Sequence, residues 1–297
     1  MQVFVVCSTR PGNPHFKEGL DHILADTDLT IEKTLSQSAD LGYAVLSSGQ
    51  IEAPLQDSQH HLRNIGDRYQ IDVNLMARPP QRKRLLISDM DSTIITTESL
   101  DDLSEFAGIG AEVKAITKRA MAGEIDFAGA LRERLAMLRG KPASLTDEVI
   151  SHTSVFEGAS QLVTTMKAHD ARCYLVSGGF TFLTAHVAGL LSFDGHYANE
   201  LLLDGDVLAG IPATPILDSE AKVRIMNELM REFWLDSDQV MTIGDGANDI
   251  PMLSKAGLGV AWQGKPLVRD KIAVQLNHST HCGGLFLQGY DESQISG

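Results

Sequence analysis

The sequence predicts an α/β protein with a Rossmann-like parallel sheet flanked by helices. It also predicts a helical-bundle insert and an N-terminal α+β domain of ferredoxin-like order. Three observations lead there. The runs RLLIS (84–88), CYLVS (173–177), VMTIG (240–244) and LGVAW (258–262) are continuously apolar, as strands buried on both faces are. Roughly 70 residues between the first two runs carry helical spacing throughout. The first 78 residues differ in texture and alternate strand and helix patterns.

In that front segment QVFVVC (2–7) alternates toward a strand and FKEGLDHILAD (16–26) has helical spacing. LTIEKTLSQ (29–37) and YAVLSSG (43–49) read as strands, LQDSQHHLRNIGDRY (55–69) as a helix and IDVNLMA (71–77) as a strand. The order β-α-β-β-α-β is that of a split βαβ unit, and in order and length it resembles the ACT family of small regulatory domains. Residues 1–78 are therefore read as one domain and 79–84 as a linker containing Pro79 and Pro80. Residues 85–297 are read as a second domain. Its insert, at about 96–156, has helices at 99–107, 111–122, 126–139 and 144–153, punctuated by Gly108, Gly123 and Gly140-Lys141-Pro142.

Composition bounds the function. The chain has 297 residues, 43% of them hydrophobic and 22% charged, which is ordinary for a globular protein. The formal net charge of −14 argues against nucleic acid, whose binding rests on neutralising phosphates with Lys and Arg. The basic cluster Arg82-Lys83-Arg84 reads as a solvated linker. The start MQVFVVCSTRPGNP has too short an apolar stretch for a secretory leader, and no apolar run reaches bilayer length. Cys7, Cys173 and Cys282 lie far apart without metal-type spacing. The expectation is a cytoplasmic protein with reduced cysteines.

Ligands of open parallel sheets collect beyond the carboxyl ends of strands. Asp89-x-Asp91-x-Thr93 follows the first run, a Ser177-Gly178-Gly179 turn the second, and Gly244-Asp245-Gly246-Ala247-Asn248-Asp249 the third. Residues i and i+2 of a strand share a face, so Asp89 and Asp91 repel unless a cation stands between them. Further along, Asp218-Ser219 precedes Lys222. With Ser219 as the cap, Lys222 takes the third helical position, where a capping box places Glu and a cation opposes the helix dipole. That mismatch points to function.

DMDST, VSGG, Lys222 and GDGAND together resemble the four motifs of the haloacid dehalogenase superfamily of phosphatases, over roughly residues 84 to 277. The resemblance implies Asp89 as nucleophile, forming an aspartyl-phosphate, and Asp91 as general acid and base. Thr93 would orient the motif. Mg²⁺ would be held by Asp89, the Asp91 carbonyl and Asp245, with Asp249 in support. Ser177, the Gly178 amide and Lys222 would hold the phosphoryl oxygens.

In DFAGALRERLAML (126–138), at about 100° per residue, Leu131, Arg134 and Leu138 fall within roughly 40° of Phe127, and Arg132 lies roughly 140° away. An arginine on an apolar stripe needs a partner. It is either a structural ion pair or a bidentate grip on a substrate carboxylate. The stretches SDMDSTIITTESLDDLSEFAG, EVKAITKRAMAGEIDF, ALRERLAML and SGGF resemble the phosphoserine phosphatase family. This implies that Glu98 meets the substrate ammonium and Arg134 its carboxylate, that Asn248 completes the contacts, and that Met121 and Phe127 form apolar walls. The expected reaction is hydrolysis of O-phosphoserine to serine and phosphate, the last step of serine biosynthesis.

Three alternatives stay open: a phosphatase for another small ester such as phosphoglycolate or a sugar phosphate, a phosphotransferase using an alcohol acceptor such as homoserine, and an amino-acid-sensing regulatory protein. A serine or other amino-acid ligand for the front domain, and a homodimer, are also open. His60-His61 read as solvated, His281-Cys282 as structural, and Trp234 and Trp262 as core or rim.

Overall fold

A computed structural model describes residues 1–121 and 123–296; the side chain of Met121 also lies outside the description. In chain order the elements begin with β1 (Gln2–Thr9), α1 (Phe16–Ala25), β2 (Thr30–Ser38), β3 (Gly42–Gln50), α2 (Leu55–Arg68), β4 (Asp72–Met76) and β5 (Leu85–Ser88). The insert follows as α3 (Ser99–Phe106), α4 (Gly110–Met121), α5 (Phe127–Met137) and α6 (Leu145–His152). Next come α7 (Ala159–Ala168), β6 (Arg172–Phe180), α8 (Thr181–Leu191), β7 (Gly195–Asn199), β8 (Leu201–Asp204), β9 (Val207–Pro212) and α9 (Ser219–Glu232). The chain ends with β10 (Val240–Gly244), α10 (Ile250–Lys255), β11 (Leu258–Trp262), α11 (Pro266–Lys271), β12 (Val274–Leu276) and α12 (Gly283–Phe286).

The main sheet runs β12-β11-β10-β5-β6-β7. β10 pairs with β11, β11 with β12 and β6 with β7, all in parallel. The apolar runs give its central members. The edge strands β7 (GHYAN) and β12 (VQL), and the β8-β9 hairpin, were not foreseen. They are short, three to six residues each, so their sequences carry little strand periodicity.

Two compact units divide the chain. One gathers 1–86, 156–173 and 234–297; the other gathers 87–155 and 174–233.

In the first unit the front sheet has the order β2-β3-β1-β4, with β1 antiparallel to both β3 and β4. Val3, Val5 and Cys7 alternate onto one face and pack with Phe16, Leu20 and Ile23 of α1, Leu62 of α2 and Val73 of β4. Each such side chain contributes about 1.5–3 kcal/mol on full burial. Val6 and Ser8, on the other face of β1, are buried too. The front sheet is therefore covered on both sides there, which explains why β1 reads as more apolar than a half-exposed strand. Asn74 imitates a strand partner for β12: its amide donates to the Gln275 carbonyl and accepts from the Gln275 N–H (2.9 and 2.8 Å).

Asp72, the first residue of β4, is buried and accepts from the backbone N–H groups of Asn277, His278 and Ser279. Burial nevertheless pushes its carboxyl above the ordinary value. Nearby, Asp67 is 2.8 Å from His278 Nε2. That hydrogen bond lowers the Asp67 carboxyl, burial opposes it, and the charges of His278, Arg269 and Arg63 reinforce it.

An unfolded Asp takes up its proton near pH 4. The Asp67 contribution is thus present above that value and is lost as pH falls through the lower folded value. Because Asp67 is 36% exposed, screening limits the contribution to about 0.5 kcal/mol. Asp67→Asn is expected to lower the urea midpoint slightly at pH 7, and the difference from the parent should vanish in acid.

The linker departs from expectation. Lys83 is buried, with Nζ donating to the Asp238 carbonyl at 2.8 Å, while Arg82 lies over the Tyr290 ring at 4.4 Å. The basic cluster is thus partly structural rather than a solvated tether. Trp262 is core, stacked on the buried His281 with centroids 3.7 Å apart. Trp234 is 93% exposed, neither core nor rim. It follows the end of α9 at φ 55°.

In the second unit the insert is helical, as expected. Gly108, Gly123 and Gly140 all have positive φ (73°, 78° and 76°), and an added Cβ at each would meet nothing within 4 Å. Backbone conformation, not space, requires glycine at these three breaks.

Candidate active site

β5 ends at Ser88, so Asp89 and Asp91 emerge at its carboxyl end in the second unit. Asp89 is 5% exposed and its Oδ1 lies 2.8 Å from the Lys222 ammonium, itself 1% exposed. Lys222 reaches it from the first turns of α9. The cap of that helix is Asp218, whose carboxylate accepts from the Ala221 N–H (2.8 Å). Ser219 is therefore the first helical residue and Lys222 the fourth, one place later than the sequence suggested. The capping-box argument falls; the unusual feature is a buried cation whose partner is a carboxylate from another element.

The environment of Asp91 differs from that of Asp89. Its Oδ1 accepts from the Ser99 N–H (3.0 Å), and its Oδ2 meets the hydroxyls of Ser99 (3.1 Å) and Ser177 (3.3 Å). Burial first, then the charges of Glu98 and Asp89, raise its carboxyl to about 8; the Ser99 bonds oppose this. Thr93 is fully buried, and its N–H donates to the Met90 carbonyl.

Ser177 and Gly178 lie within β6, which continues to Phe180, rather than in a turn after it. The register with β7 shifts between Val176 and Phe180, and the Asn199 amide satisfies the Gly178 carbonyl (2.8 Å). Such an irregularity re-aims side chains at a strand end. The Ser177 hydroxyl accepts from the Gly179 N–H (2.9 Å). A Cβ on Gly178 would approach the Phe127 ring at 3.3 Å, so Phe127 does face the second motif.

Arg134 is half-buried, and its Nε donates to the Ala130 carbonyl one turn back (3.2 Å). The buried residues of α5 are Ala130, Leu131 and Leu135, while Phe127 is 37% exposed. Arg134 therefore flanks the buried stripe instead of centring it. Burial lowers its guanidinium from the ordinary value, and Asp101 and then Glu98 act against that. Glu98 is exposed at the N-cap of α3, yet its side chain makes no capping bond there; it accepts from the Ser92 hydroxyl (2.9 Å). Arg132 is exposed, as its helical angle required.

The first unit holds the fourth motif. Asp245 and Asp249 are buried, and carboxylate oxygens of the two lie within 4.8 Å of one another. Asp249 accepts from the Gly246 N–H (3.0 Å) and from the Asn248 amide (3.3 Å). Lys265 Nζ lies 2.9 Å from Asp245 Oδ2, a partner the sequence reading missed. Its only signal is the position of Gly264-Lys265-Pro266 just beyond the end of β11. Buried carboxylates this close require a cation, and an all-oxygen set suits a hard divalent ion.

Comparison with known proteins agrees with this geometry. Residues 86–254 match the family model for haloacid dehalogenase-like hydrolases. A probable phosphoserine phosphatase of Schizosaccharomyces pombe is 36% identical over 253 residues, covering 84% of this chain and 85% of that protein. The chain belongs to the phosphoserine phosphatase family of haloacid dehalogenase-like hydrolases. Among solved structures, a hydrolase of the same superfamily from Salmonella enterica serovar Typhi superposes with a TM-score of 0.84 at 26% identity, over 97% of this chain and 98% of that one. A phospho-aspartyl intermediate analogue of phosphoserine phosphatase superposes with a TM-score of 0.63 at 31% identity, covering 67% of this chain and 95% of the other. Among the described residues no helix is long and apolar enough to cross a membrane.

Proposed function

We propose that the chain hydrolyses O-phosphoserine to serine and inorganic phosphate through a phosphoryl group carried on Asp89. One observation supports this most directly: two carboxylates two residues apart stand in opposite environments. Asp89 pairs with the buried Lys222 ammonium, whereas Asp91 is raised to about 8. A raised carboxyl two residues from an ion-paired one suits a division into acid and nucleophile.

The steps follow. An Asp89 carboxylate oxygen attacks phosphorus in line, forming the aspartyl-phosphate as the bond to the serine oxygen breaks. Asp91, its carboxyl raised by burial and by the charges of Glu98 and Asp89, gives its proton to the departing oxygen and later takes one from the attacking water. Lys222, Ser177 and the Gly178 amide stabilise charge on the phosphoryl oxygens, and Thr93 holds the first motif. Arg134 pairs with the substrate carboxylate, Glu98 with its ammonium, and Asn248 completes the contacts.

The buried all-oxygen pair Asp245 and Asp249 suits Mg²⁺; the resemblance implies Asp245, Asp89 and the Asp91 carbonyl as its ligands, with Asp249 in support. When bound, the ion would neutralise negative charge on the phosphoryl group and its acidic neighbours.

The division into a front domain (1–78), a linker (79–84) and a phosphatase domain (85–297) capped at about 96–156 is part of the same reading. The resemblance of the front domain to amino-acid-sensing domains makes serine its expected ligand. The buried free cysteines Cys7, Cys173 and Cys282 suit a cytoplasmic setting.

Phosphate release from O-phosphoserine with and without Mg²⁺ tests the activity. An added alcohol acceptor tests phosphotransfer: accumulation of a new phosphate ester in place of free phosphate would favour that alternative. Arg134→Ala should raise KM for O-phosphoserine by about 10-fold or more, since a hydrogen bond to a charged group is worth about 1.5–3 kcal/mol. An aryl phosphate without a carboxylate should change little. Equal losses on both substrates would make Arg134 structural.

A further inference from the structure

The contact between Asp91 and Ser99 joins the first motif to the start of the insert. Ser99 is 2% exposed and is the first residue of α3. Its N–H is among the first-turn donors that have no partner within a helix, and the N-cap side chain, Glu98, does not supply one. Asp91 Oδ1 does, at 3.0 Å. An amide can only donate, so Oδ1 is fixed as an acceptor whatever the charge on Asp91. Oδ2 is the oxygen whose neighbours, two hydroxyls, can accept from a carboxylic acid proton, as an amide cannot.

Oδ2 meets two hydroxyls, from Ser99 at 3.1 Å and Ser177 at 3.3 Å. A hydroxyl donates to a carboxylate and accepts from a carboxylic acid by rotating its own hydrogen. Both protonation states of Asp91 thus keep the same heavy-atom positions. The corner is also tightly packed. A Cβ on Gly179 would stand 2.4 Å from Asp91 Oδ2 and 2.8 Å from Ser99 Oγ, so the glycine at 179 leaves the room in which Oδ2 and the Ser99 hydroxyl meet.

We propose that Ser99 is the positioning residue for the general acid: its amide selects Oδ2 as the proton-bearing oxygen and its hydroxyl aims that oxygen at the leaving group. This inference rests on the catalytic reading of Asp89 and Asp91. In the phosphorylation step the Asp89–phosphorus bond forms, the phosphorus–oxygen bond to serine breaks, and the proton on Oδ2 passes to the serine oxygen. In the second step water loses its proton to Oδ2 as phosphate leaves Asp89. Ser99 supplies no atom to either product.

The test uses the full chain with Mg²⁺ and reads phospho-Asp89 formation by rapid quench from two substrates. O-Phosphoserine departs as an alkoxide and needs the proton; p-nitrophenyl phosphate departs as a stabilised phenolate and does not. Ser99→Ala is expected to slow phosphorylation by O-phosphoserine about 30-fold, a fraction of what general acid catalysis and orientation supply. KM should barely move, and the p-nitrophenyl phosphate rate should fall less than about threefold, because nucleophile and phosphate site are untouched. Ser99→Thr, which keeps amide and hydroxyl, should restore the O-phosphoserine rate.

Equal losses on both substrates, or none on O-phosphoserine, would overturn the role of Ser99 while leaving the phosphatase reading intact. A parent chain that forms no phospho-Asp89 from either substrate would overturn both.

Discussion

Replacing Asp89 with asparagine is expected to remove turnover of O-phosphoserine by at least about 10⁴-fold, the scale on which nucleophile replacements act. The amide keeps the size of the side chain but cannot form the phosphoryl ester, so every later step is closed. Mass analysis of acid-quenched enzyme should find the phosphoryl adduct on the Asp89 peptide of the parent and none in the variant. Because Asp89 faces the buried Lys222 ammonium at 2.8 Å, the variant also leaves a buried cation with a weaker partner. A fall in thermal midpoint should accompany the loss of activity. An adduct on any other residue, or substantial turnover by the variant, would sink the mechanism.

Lys222→Met should have the second-largest effect, and it should appear in two separate measurements. Lys222 is 1% exposed and pairs with a carboxylate 5% exposed. Removing one member of such a pair leaves an uncompensated buried charge, which typically costs about 3–5 kcal/mol. Stability read from a urea midpoint should fall accordingly. Activity should fall about 10³-fold, since a positive donor aimed at the transferring group is lost and the nucleophile faces Asp91 without its counter-charge. Lys222→Arg should recover stability better than activity, because the guanidinium restores charge but not the compact ammonium geometry. If Lys222→Met kept its stability yet lost activity, the pair would be weaker in the folded chain than its burial implies.

Much of the site could be read directly because covalent spacing carries it. Asp89 and Asp91 directly follow the apolar run that forms β5, GDGAND follows the one that forms β10, and the insert has helical periods broken at glycines. These are local patterns, and local patterns survive in sequence. Ser99 and Lys265 were not read, and Gly179 was read only as part of the Ser177-Gly178-Gly179 turn. Ser99 matters through a contact with Asp91 eight positions earlier, and Gly179 through space it leaves beside the same carboxylate. Lys265 reaches Asp245 from a separate loop. Nothing in the type or spacing of Ser99 and Lys265 marks them, and the turn motif does not reveal the nearness of Gly179 to Asp91.

Two further misjudgements have the same origin. The position of Lys222 in α9 depended on which of Asp218 and Ser219 capped the helix, and only the bond from the Ala221 N–H to Asp218 decides it. Burial of Lys83 depended on a carbonyl of Asp238, far away in the chain.

By itself the sequence determined which chemical groups gather at strand ends and which family of reactions they can perform, since side-chain identity and backbone period are set residue by residue. The folded chain alone decided the environment of each group. Desolvation and Coulomb interactions depend on neighbours brought from other elements, so adjacent aspartates became an ion-paired carboxylate and an acid raised to about 8. The same holds for the hydrogen bonds from Ser99 that aim the acid, because their partners meet only after α3 has formed and packed.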